Sequence, residues 1–284
     1  MATQLQAPIA LEGEDLGLAL QRVKPNYVAA AVGVVFHLLG AAALTQPFHW
    51  HYAAMFAFFY AWVMLSTTLY LHRCLSHHAF ELATPVRLFF TVGVGLGLLL
   101  DPASWVGLHR YHHAHSDAPA DIHSPRVGFF HGYVGWSLRF NFALQRDFRR
   151  LAEDIRGDWF HRLLEHPLAF GAVHLTGAAI VYHLTGLGGL LWGFYLPLVL
   201  VVHGMMLVNT FCHLPGFGYR NHDTDDQSRN NLWITLYTLG EGWHNNHHAA
   251  PRKARCGFGW REPDPVAWIV AGLERVGLAR NVVW

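Results

Sequence analysis

Residues 52–78 read YAAMFAFFYAWVMLSTTLYLHRCLSHH, an apolar run that passes directly into a cluster of histidines. The first part, Tyr52 to Leu71, carries no charged residue, and its hydroxyl groups are confined to three tyrosines, two threonines and a serine. A helix of about 20 such residues crosses about 30 Å of hydrocarbon. The stretch therefore predicts a membrane-spanning helix that ends at a potential metal-binding motif.

Three further segments have the length and composition of a span, or nearly so. They are residues 28–44, 167–184 and 190–209, and Pro197 is expected to kink the last of them. The links at 45–51 and 185–189 are short, so each pair of spans is expected to form an antiparallel hairpin. The alternative, a set of core helices in a soluble all-α protein, is disfavoured because four such runs are hard to bury in 284 residues.

Composition excludes several classes of protein. Charged residues make up 14% of the chain, against about 25% in soluble domains. The net charge of +1 gives no reason to expect a nucleic-acid partner, and the three cysteines form no CxxC pair of the kind found in zinc ribbons. A membrane-embedded part with a soluble cap fits these numbers best.

The positive charges predict an orientation in the membrane. All 20 Lys and Arg residues fall in the N-terminal tail, in residues 73–162 or after residue 219, and neither hairpin link is charged. The positive-inside rule then places both termini and the middle region in the cytoplasm. The apolar stretch 88–100 is too short to cross and is expected to lie at the interface.

We accordingly expect an all-α integral membrane protein of four transmembrane helices in two hairpins. Residues 1–27 form a polar, partly disordered cytoplasmic tail in this prediction, and residues 28–284 form a single domain. Its cytoplasmic cap comprises residues 101–166 and 210–284.

The chain contains 22 histidines, and their grouping points to metal binding. Residues 109–113 read HRYHH and residues 244–248 read HNNHH, so three histidines of each group share one helical face and can point at one place. His72 and His77 would lie about 140° apart on an α-helix, so the helix is expected to end or unwind between them. Isolated histidines, such as those inside the spans, are interpreted as ordinary polar residues. The candidate ligands are His72, His77, His109, His112, His113, His213, His244, His247 and His248, with Asn209 as a tenth polar group.

Nine imidazoles are too many for one metal ion and suit two. Imidazole binds Zn, Cu, Fe and Ni, so the ligand type alone does not select the element. Open coordination positions in a membrane protein without an obvious hydrolytic nucleophile favour redox-active iron.

The order and spacing of these groups resemble the membrane fatty acyl desaturases, specifically the acyl-CoA/delta-9 type and its bacterial acyl-lipid relatives. The resemblance runs from about residue 67 to the C-terminus. It rests on HRCLSHH, SWVGLHRYHH, PRVGFFHGYVGW, VNTFCH, DDQSRNN, GEGWHNNHH and GWREPDPVAW.

The resemblance implies an O2-dependent enzyme of a bacterial inner membrane that inserts a cis double bond, at delta-9 in the closest type, into a saturated acyl chain. One Fe2+ would be held by His72, His77, His109, His113 and His247. The other would be held by His112, His213, His244, His248 and, through a water, Asn209. His78 and His115 have no such role in the family pattern.

Further residues are expected to support the metal site and the substrate. The polar and charged side chains available to orient the imidazoles are Asp117, Asp121, Asp225, Asp226, Arg229, Asn230 and Glu241, of which Asp121 and Glu241 are preferred. Trp105, Trp136 and Trp243 are candidate walls of an apolar tunnel for the acyl chain, although interfacial packing explains them equally well.

The acyl carrier stays open at this point. Gly107 and Leu108 stand where acyl-CoA enzymes carry an Arg-Asp pair, which makes a glycerolipid or an acyl carrier protein credible beside coenzyme A. Electrons are expected from a separate ferredoxin or haem protein with its reductase. A hydroxylase, ketolase or acetylenase on the same metal site, and a non-catalytic metal-binding membrane protein, are the alternatives.

Overall fold

The computed structural model describes residues 16–20 and 22–284, and this part of the chain is mostly helical. Stretches of wider π-type helix and short 3₁₀ turns join several of the α-helices. Two short strands, β1 (Glu81–Leu82) and β2 (Ala279–Arg280), pair antiparallel. The α-helices are α1 (Leu16–Leu20), α2 (Tyr27–Ala42), α3 (Trp50–Leu65), α4 (Thr84–Gly97), α5 (Pro102–His115), α6 (Phe142–Arg149), α7 (Trp159–Leu164), α8 (Pro167–Gly189), α9 (Leu196–Phe211), α10 (Leu232–Thr238), α11 (His244–Ala249) and α12 (Pro265–Arg275).

Three helical segments of the described chain are long and apolar enough to cross a membrane: Tyr27–Thr45, Trp50–Ser76 and Pro167–Phe211. A fourth results if α4 and α5, which meet at an angle of 86°, are counted as one broken span. The prediction of a mostly helical integral membrane protein with several spans is therefore confirmed. The predicted interfacial stretch 88–100 falls largely in α4, which packs beside α3.

The longest of these segments folds back on itself at Gly186, whose φ of +70° is accessible to glycine at little cost. The Nε2 atom of His174 lies 3.3 Å from the hydroxyl of Tyr195, 21 residues further along. A straight helix would hold them about 31 Å apart. Pro197 lies in the first turn of α9, where its missing N–H costs little, and the helical irregularity expected there falls just before it, in the π-type stretch Leu190–Tyr195.

The two links that connect the helices of each hairpin, residues 45–51 and 185–189, lie close to each other. The indole of Trp192 donates a hydrogen bond to the carbonyl of Gln46 at 3.2 Å. A Cβ atom on Gly188 would lie 2.7 Å from the Tyr52 hydroxyl, so the two links approach closely because that position is glycine. The histidine clusters lie at the other end of the helices, after Leu71 and after Phe211.

The cap has its own hydrophobic core, and the N-terminal segment is part of it. Leu16, Leu20 and Val23 are buried in one cluster with residues of α5 and α6. The backbone N–H of Gly17 donates to the carbonyl of Pro119 at 3.0 Å. The tail expected to be polar and loosely ordered is thus packed from Leu16 onward, while residues 1–15 and 21 lie outside the described residues.

Candidate metal centre

The nine candidate histidines form two adjacent clusters at one end of the long helices. In each cluster, one nitrogen atom of every imidazole lies within 4.8 Å of those of the others, and every residue is buried or mostly buried. The first cluster consists of His72, His77, His109, His113 and His247. The second consists of His112, His213, His244 and His248.

Each HxxHH group divides its histidines between the two clusters, as the family resemblance implied, whereas helical spacing alone had suggested that all three point at one place. At about 100° per residue, positions i and i+4 lie about 40° apart, whereas i+3 and i+4 diverge by about 100°. His109 and His113 accordingly enter the first cluster and the intervening His112 enters the second. In α11 the arrangement is reversed, because His244 and His248 enter the second cluster and His247 the first.

His72 and His77 share a cluster because the helix between them is of the wider π type. The N–H of His77 bonds the carbonyl of His72 five residues back, at 3.3 Å, and Ser66–Ser76 has this pattern throughout. The wider turn brings residues five apart onto one face. The helix thus widens rather than unwinds, and it ends at Ser76.

Four cluster histidines use their Nδ1 atoms to contact buried carboxylates. His112 lies 2.9 Å from Asp121 and His213 lies 2.8 Å from Asp117. The other two contacts pair His72 with Glu241 and His248 with Asp226. Asp121 and Glu241 were the preferred candidates from the sequence, whereas Asp117 and Asp226 were only two of several available acids.

These contacts leave the Nε2 atoms facing one another. When Nδ1 carries the proton that is donated to a carboxylate, Nε2 presents a lone pair. The Nε2 atom of His244 nevertheless lies 2.9 Å from that of His213 and 3.1 Å from that of His248. His244 can donate an Nε2 proton to only one of these two neighbours, so at least one close pair of nitrogen lone pairs is left facing each other unless a cation lies between them. The donor set of each cluster therefore fits a metal ion bound through Nε2.

Burial favours the neutral, metal-binding form of several cluster imidazoles, whereas for His213 burial is outweighed by the hydrogen bond and charge interaction with Asp117, which raise its pKa. Burial and the neighbouring imidazoles lower the pKa of His244 and His247 well below the ordinary value. Burial lowers the pKa of His248 to about 4, although the hydrogen bond to Asp226 opposes this shift. Burial alone would raise the pKa of Asp226, but its hydrogen bond and charge interaction with His248 lower it. The pair is thus a neutral imidazole oriented by a carboxylate, as in many metal sites.

An apolar cavity of about 280 Å³ reaches His109 of the first cluster. Trp105, Trp136 and Asn209 line it, and the ring of Trp105 stacks on that of His109 at 5.1 Å. Trp243 does not line this cavity, contrary to its predicted place in the tunnel wall. Its side chain is buried just before α11, and the indole N–H donates to the carbonyl of Pro263 at 2.8 Å.

Two other residues predicted to support the site, Asn230 and Arg229, bond to groups next to the cluster histidines rather than to the imidazoles themselves. The amide of Asn230 bonds the amide of Asn246 in α11 at 2.8 Å, which fixes the helix that carries three cluster histidines. Arg229 contributes a backbone N–H to the carbonyl of Cys212 at 2.8 Å, next to His213. The Nε atom of Arg229 has no hydrogen-bond partner among the described residues.

Sequence reasoning missed His123, which lies between the second cluster and the cavity. Its ring centroid is 4.4 Å from that of His112, and its Nδ1 atom lies 3.3 Å from Asp121. His123 also lines the cavity. The available signal was its position two residues after Asp121. By contrast, the Nδ1 atom of His115 bonds a backbone carbonyl of its own helix, and that residue belongs to neither cluster.

The fold and site together define an integral membrane protein with a histidine-rich site suited to two metal ions. Comparison with known proteins agrees, since the fatty acid desaturase family model matches residues 47–260. This chain belongs to the fatty acid desaturase family and is a membrane enzyme of that type.

Curated relatives extend over most of the chain. An icosanoyl-CoA 5-desaturase of Limnanthes douglasii is 36% identical, with 96% of this chain and 77% of the relative covered. An sn-1 stearoyl-lipid 9-desaturase of Synechocystis is 35% identical, and the match covers 91% of this chain and 82% of the relative. A chloroplastic palmitoyl-monogalactosyldiacylglycerol delta-7 desaturase of Arabidopsis thaliana is also 35% identical, and the match covers 90% of this chain and 68% of the relative. Their names cover three double-bond positions and both CoA-linked and lipid-linked substrates, so membership of the family does not fix either property.

Proposed function

We propose that this chain uses two iron ions to insert a cis double bond at the delta-9 position of a saturated acyl chain. The two histidine clusters are the proposed ligand sets, with Asn209 assisting the second through a water. The observation that carries the proposal is the apolar cavity, which has Trp105, His109 and Asn209 in its wall. A bound hydrocarbon chain would therefore pass beside His109 of the first cluster and beside His123, whose ring lies 4.4 Å from that of His112 in the second.

The proposed reaction removes one hydrogen atom from each of two adjacent CH2 groups. Each turnover consumes one O2, two electrons and two protons, and it yields the alkene and two waters. The irons, when bound, would supply the redox chemistry that couples O2 reduction to C–H cleavage. The protein positions the chain, and the four carboxylates that contact Nδ1 atoms hold the imidazoles in fixed orientations.

A membrane glycerolipid is the proposed acyl carrier. The described lining of the cavity contains no Lys or Arg, and α2 and α9, which belong to candidate spans, provide much of its wall. Gly107 has no room for a side chain, because a Cβ atom there would lie 1.9 Å from the carbonyl oxygen of Phe148. Recognition of a CoA phosphate would favour cationic side chains, whereas a lipid can present its acyl chain from the bilayer.

The proposed topology has four spans in two hairpins, with the metal centre and both termini in the cytoplasm. The distribution of Lys and Arg and the position of the hairpin links opposite the histidines support it. The two electrons would then arrive from a soluble cytoplasmic carrier, a ferredoxin or a haem protein, together with its reductase.

The test is product analysis in a host that lacks desaturases. Defined acyl-CoA, acyl-carrier-protein and glycerolipid pools are supplied in turn, and mass spectrometry locates any new double bond. A cis delta-9 alkene in the lipid pool supports the proposal. A hydroxylated product would indicate a hydroxylase and an acetylenic product an acetylenase, in place of the proposed desaturase. Iron binding without O2 consumption would indicate a non-catalytic metal-binding protein.

A further inference from the structure

A cationic and aromatic surface follows directly after the last histidine group. Within residues 252–261, every side chain larger than alanine or cysteine is exposed, and Trp260 is exposed at 86%. The guanidinium of Arg261 lies 4.9 Å from the centre of the Trp260 ring, and Lys253 lies 5.5 Å from that of Phe258. We call this surface the basic patch, and it comprises Arg252, Lys253, Arg255, Phe258, Trp260 and Arg261.

The charges of the basic patch are not neutralised within the described structure. None of its four cations forms an ion pair with a described acid, and residues 252–261 contain no acid. The next two acids along the chain, Glu262 and Asp264, are buried and bonded to other groups. Glu274 and Asp223 border the patch, but Glu274 bonds the Trp284 indole and Asp223 lies 3.9 Å from Arg220. A net excess of positive charge remains.

Two short routes connect this surface to the first histidine cluster. The thiol of Cys256, between exposed patch residues, lies 3.9 Å from the Nδ1 atom of His247. The backbone N–H of Phe258 and the amide of Asn246 both donate to the same Glu262 oxygen, each at 2.7 Å. Asn246 immediately precedes His247 in α11. The surface is thus separated from a proposed metal ligand by a single layer of buried groups.

We propose that the basic patch is the docking surface for an acidic one-electron carrier protein. The inference rests on the proposed function, because each turnover requires two electrons and the histidine clusters are too buried for another protein to touch. A carrier with an acidic face around its redox group would complement four free cations, which speeds encounter and sets orientation. Exposed Arg and Trp are also residue types enriched in protein interfaces.

The test uses the full-length protein in detergent, with an acidic [2Fe–2S] ferredoxin, its reductase and NADPH as the electron source. The double variant Lys253→Glu/Arg255→Glu and the single variant Arg261→Glu reverse patch charges. We expect the KM for ferredoxin to rise about tenfold or more in the double variant, and direct binding of ferredoxin to weaken in parallel. Added salt should raise the parent KM and change the variant KM less.

Arg146→Glu and Arg162→Glu are matched controls, because both arginines are exposed and form no ion pair with a described residue. Their KM for ferredoxin should equal that of the parent. Reduction by dithionite through a small viologen mediator bypasses the carrier, so patch variants should form product there in a single turnover.

The outcomes separate the two proposals. Absence of product from the parent under both electron sources would contradict the proposed function. Product formation with an unchanged ferredoxin KM and binding in the patch variants would overturn the docking surface alone. Weakened binding to anionic phosphatidylglycerol vesicles at unchanged ferredoxin KM would assign the patch to lipid headgroups and also overturn it.

Discussion

The Nε2 atoms of His72 and His247 lie 2.9 Å apart, although 175 residues separate the two positions in the chain. His72 lies near the end of the second candidate span, and His247 lies in α11 near the C-terminus. Their approach is one of several contacts that join the second candidate span to the cap, together with the hydrogen bonds of Tyr70 to His161 and of Arg73 to Asp264. It follows that loss of a cluster histidine should affect the metal centre before it affects membrane insertion.

His112→Ala and His248→Ala should abolish turnover, because each removes a ligand from the smaller cluster and leaves an open space beside it. We expect product to fall below detection and the metal content to fall toward half of the parent value or lower. Gas chromatography of products and elemental analysis of the purified protein measure the two quantities. Both variants should remain in the membrane fraction.

His115→Ala is the matched control, since His115 is in the same helix as His112 and belongs to neither cluster. It should keep the metal content and most of the activity. Full activity in His112→Ala or His248→Ala would contradict the proposed ligand set.

Asp226→Asn should weaken metal binding by about 10–100-fold, because the carboxylate that orients His248 is replaced by a neutral amide. Titration with Fe2+ under anaerobic conditions measures the change. Asp225→Asn is the adjacent control, as Asp225 is exposed. Equal metal affinity in the two variants would show that Asp226 does not support metal binding.

Removal of the metal ions should destabilise the protein, because the converging Nε2 lone pairs then repel one another. A ligand at about 100 times its Kd contributes about 2.7 kcal/mol to the free energy of unfolding. For a chain of this size that corresponds to a fall in Tm of about 5 °C or more. Thermal unfolding with and without a strong chelator measures it, and restored Fe2+ should reverse the fall. An unchanged Tm would indicate that the clusters hold no stabilising ion.

Gly107→Ala should destabilise the cap, because the new Cβ atom would meet the carbonyl oxygen of Phe148 at 1.9 Å. Overpacking of this kind costs about 1–3 kcal/mol, and it would shift the helix that carries His109. Gly171→Ala is the control, since a Cβ atom there has no neighbour within 4 Å. Thermal unfolding of both variants measures the difference in Tm, and equal Tm values would show that α5 and α6 are not in close contact.

Val202→Phe should shorten the acyl chains that the enzyme accepts, because Val202 lines the cavity. We expect the ratio of C16 to C18 products to rise several-fold at unchanged metal content. Val34→Phe places the same group on α2, where Val34 is 59% exposed, and should leave the ratio unchanged. A ratio that is also unchanged in Val202→Phe would place the substrate outside this cavity.

The sequence by itself determined the class of protein and the identities of the cluster histidines. Span length, charge placement and the i, i+3, i+4 spacing are local properties, so they can be read over a few helical turns. These properties predicted the helical membrane architecture and the grouping of histidines, and the resemblance of the sequence motifs indicated the family. Asp121 and Glu241, the acids preferred from the sequence, contact His112 and His72.

Helical spacing alone did not determine how those residues are shared between the two clusters; the family resemblance implied the division, and the tertiary structure brings the same two groups together. Spacing within one helix shows which side chains diverge, but it does not show which imidazole from another segment each one meets. Asp117 contacts His213 across 96 residues, and the indole of Trp243 donates a hydrogen bond to the carbonyl of Pro263 instead of lining the cavity. Such contacts depend on how distant helices pack, and helix periodicity carries no information about that packing.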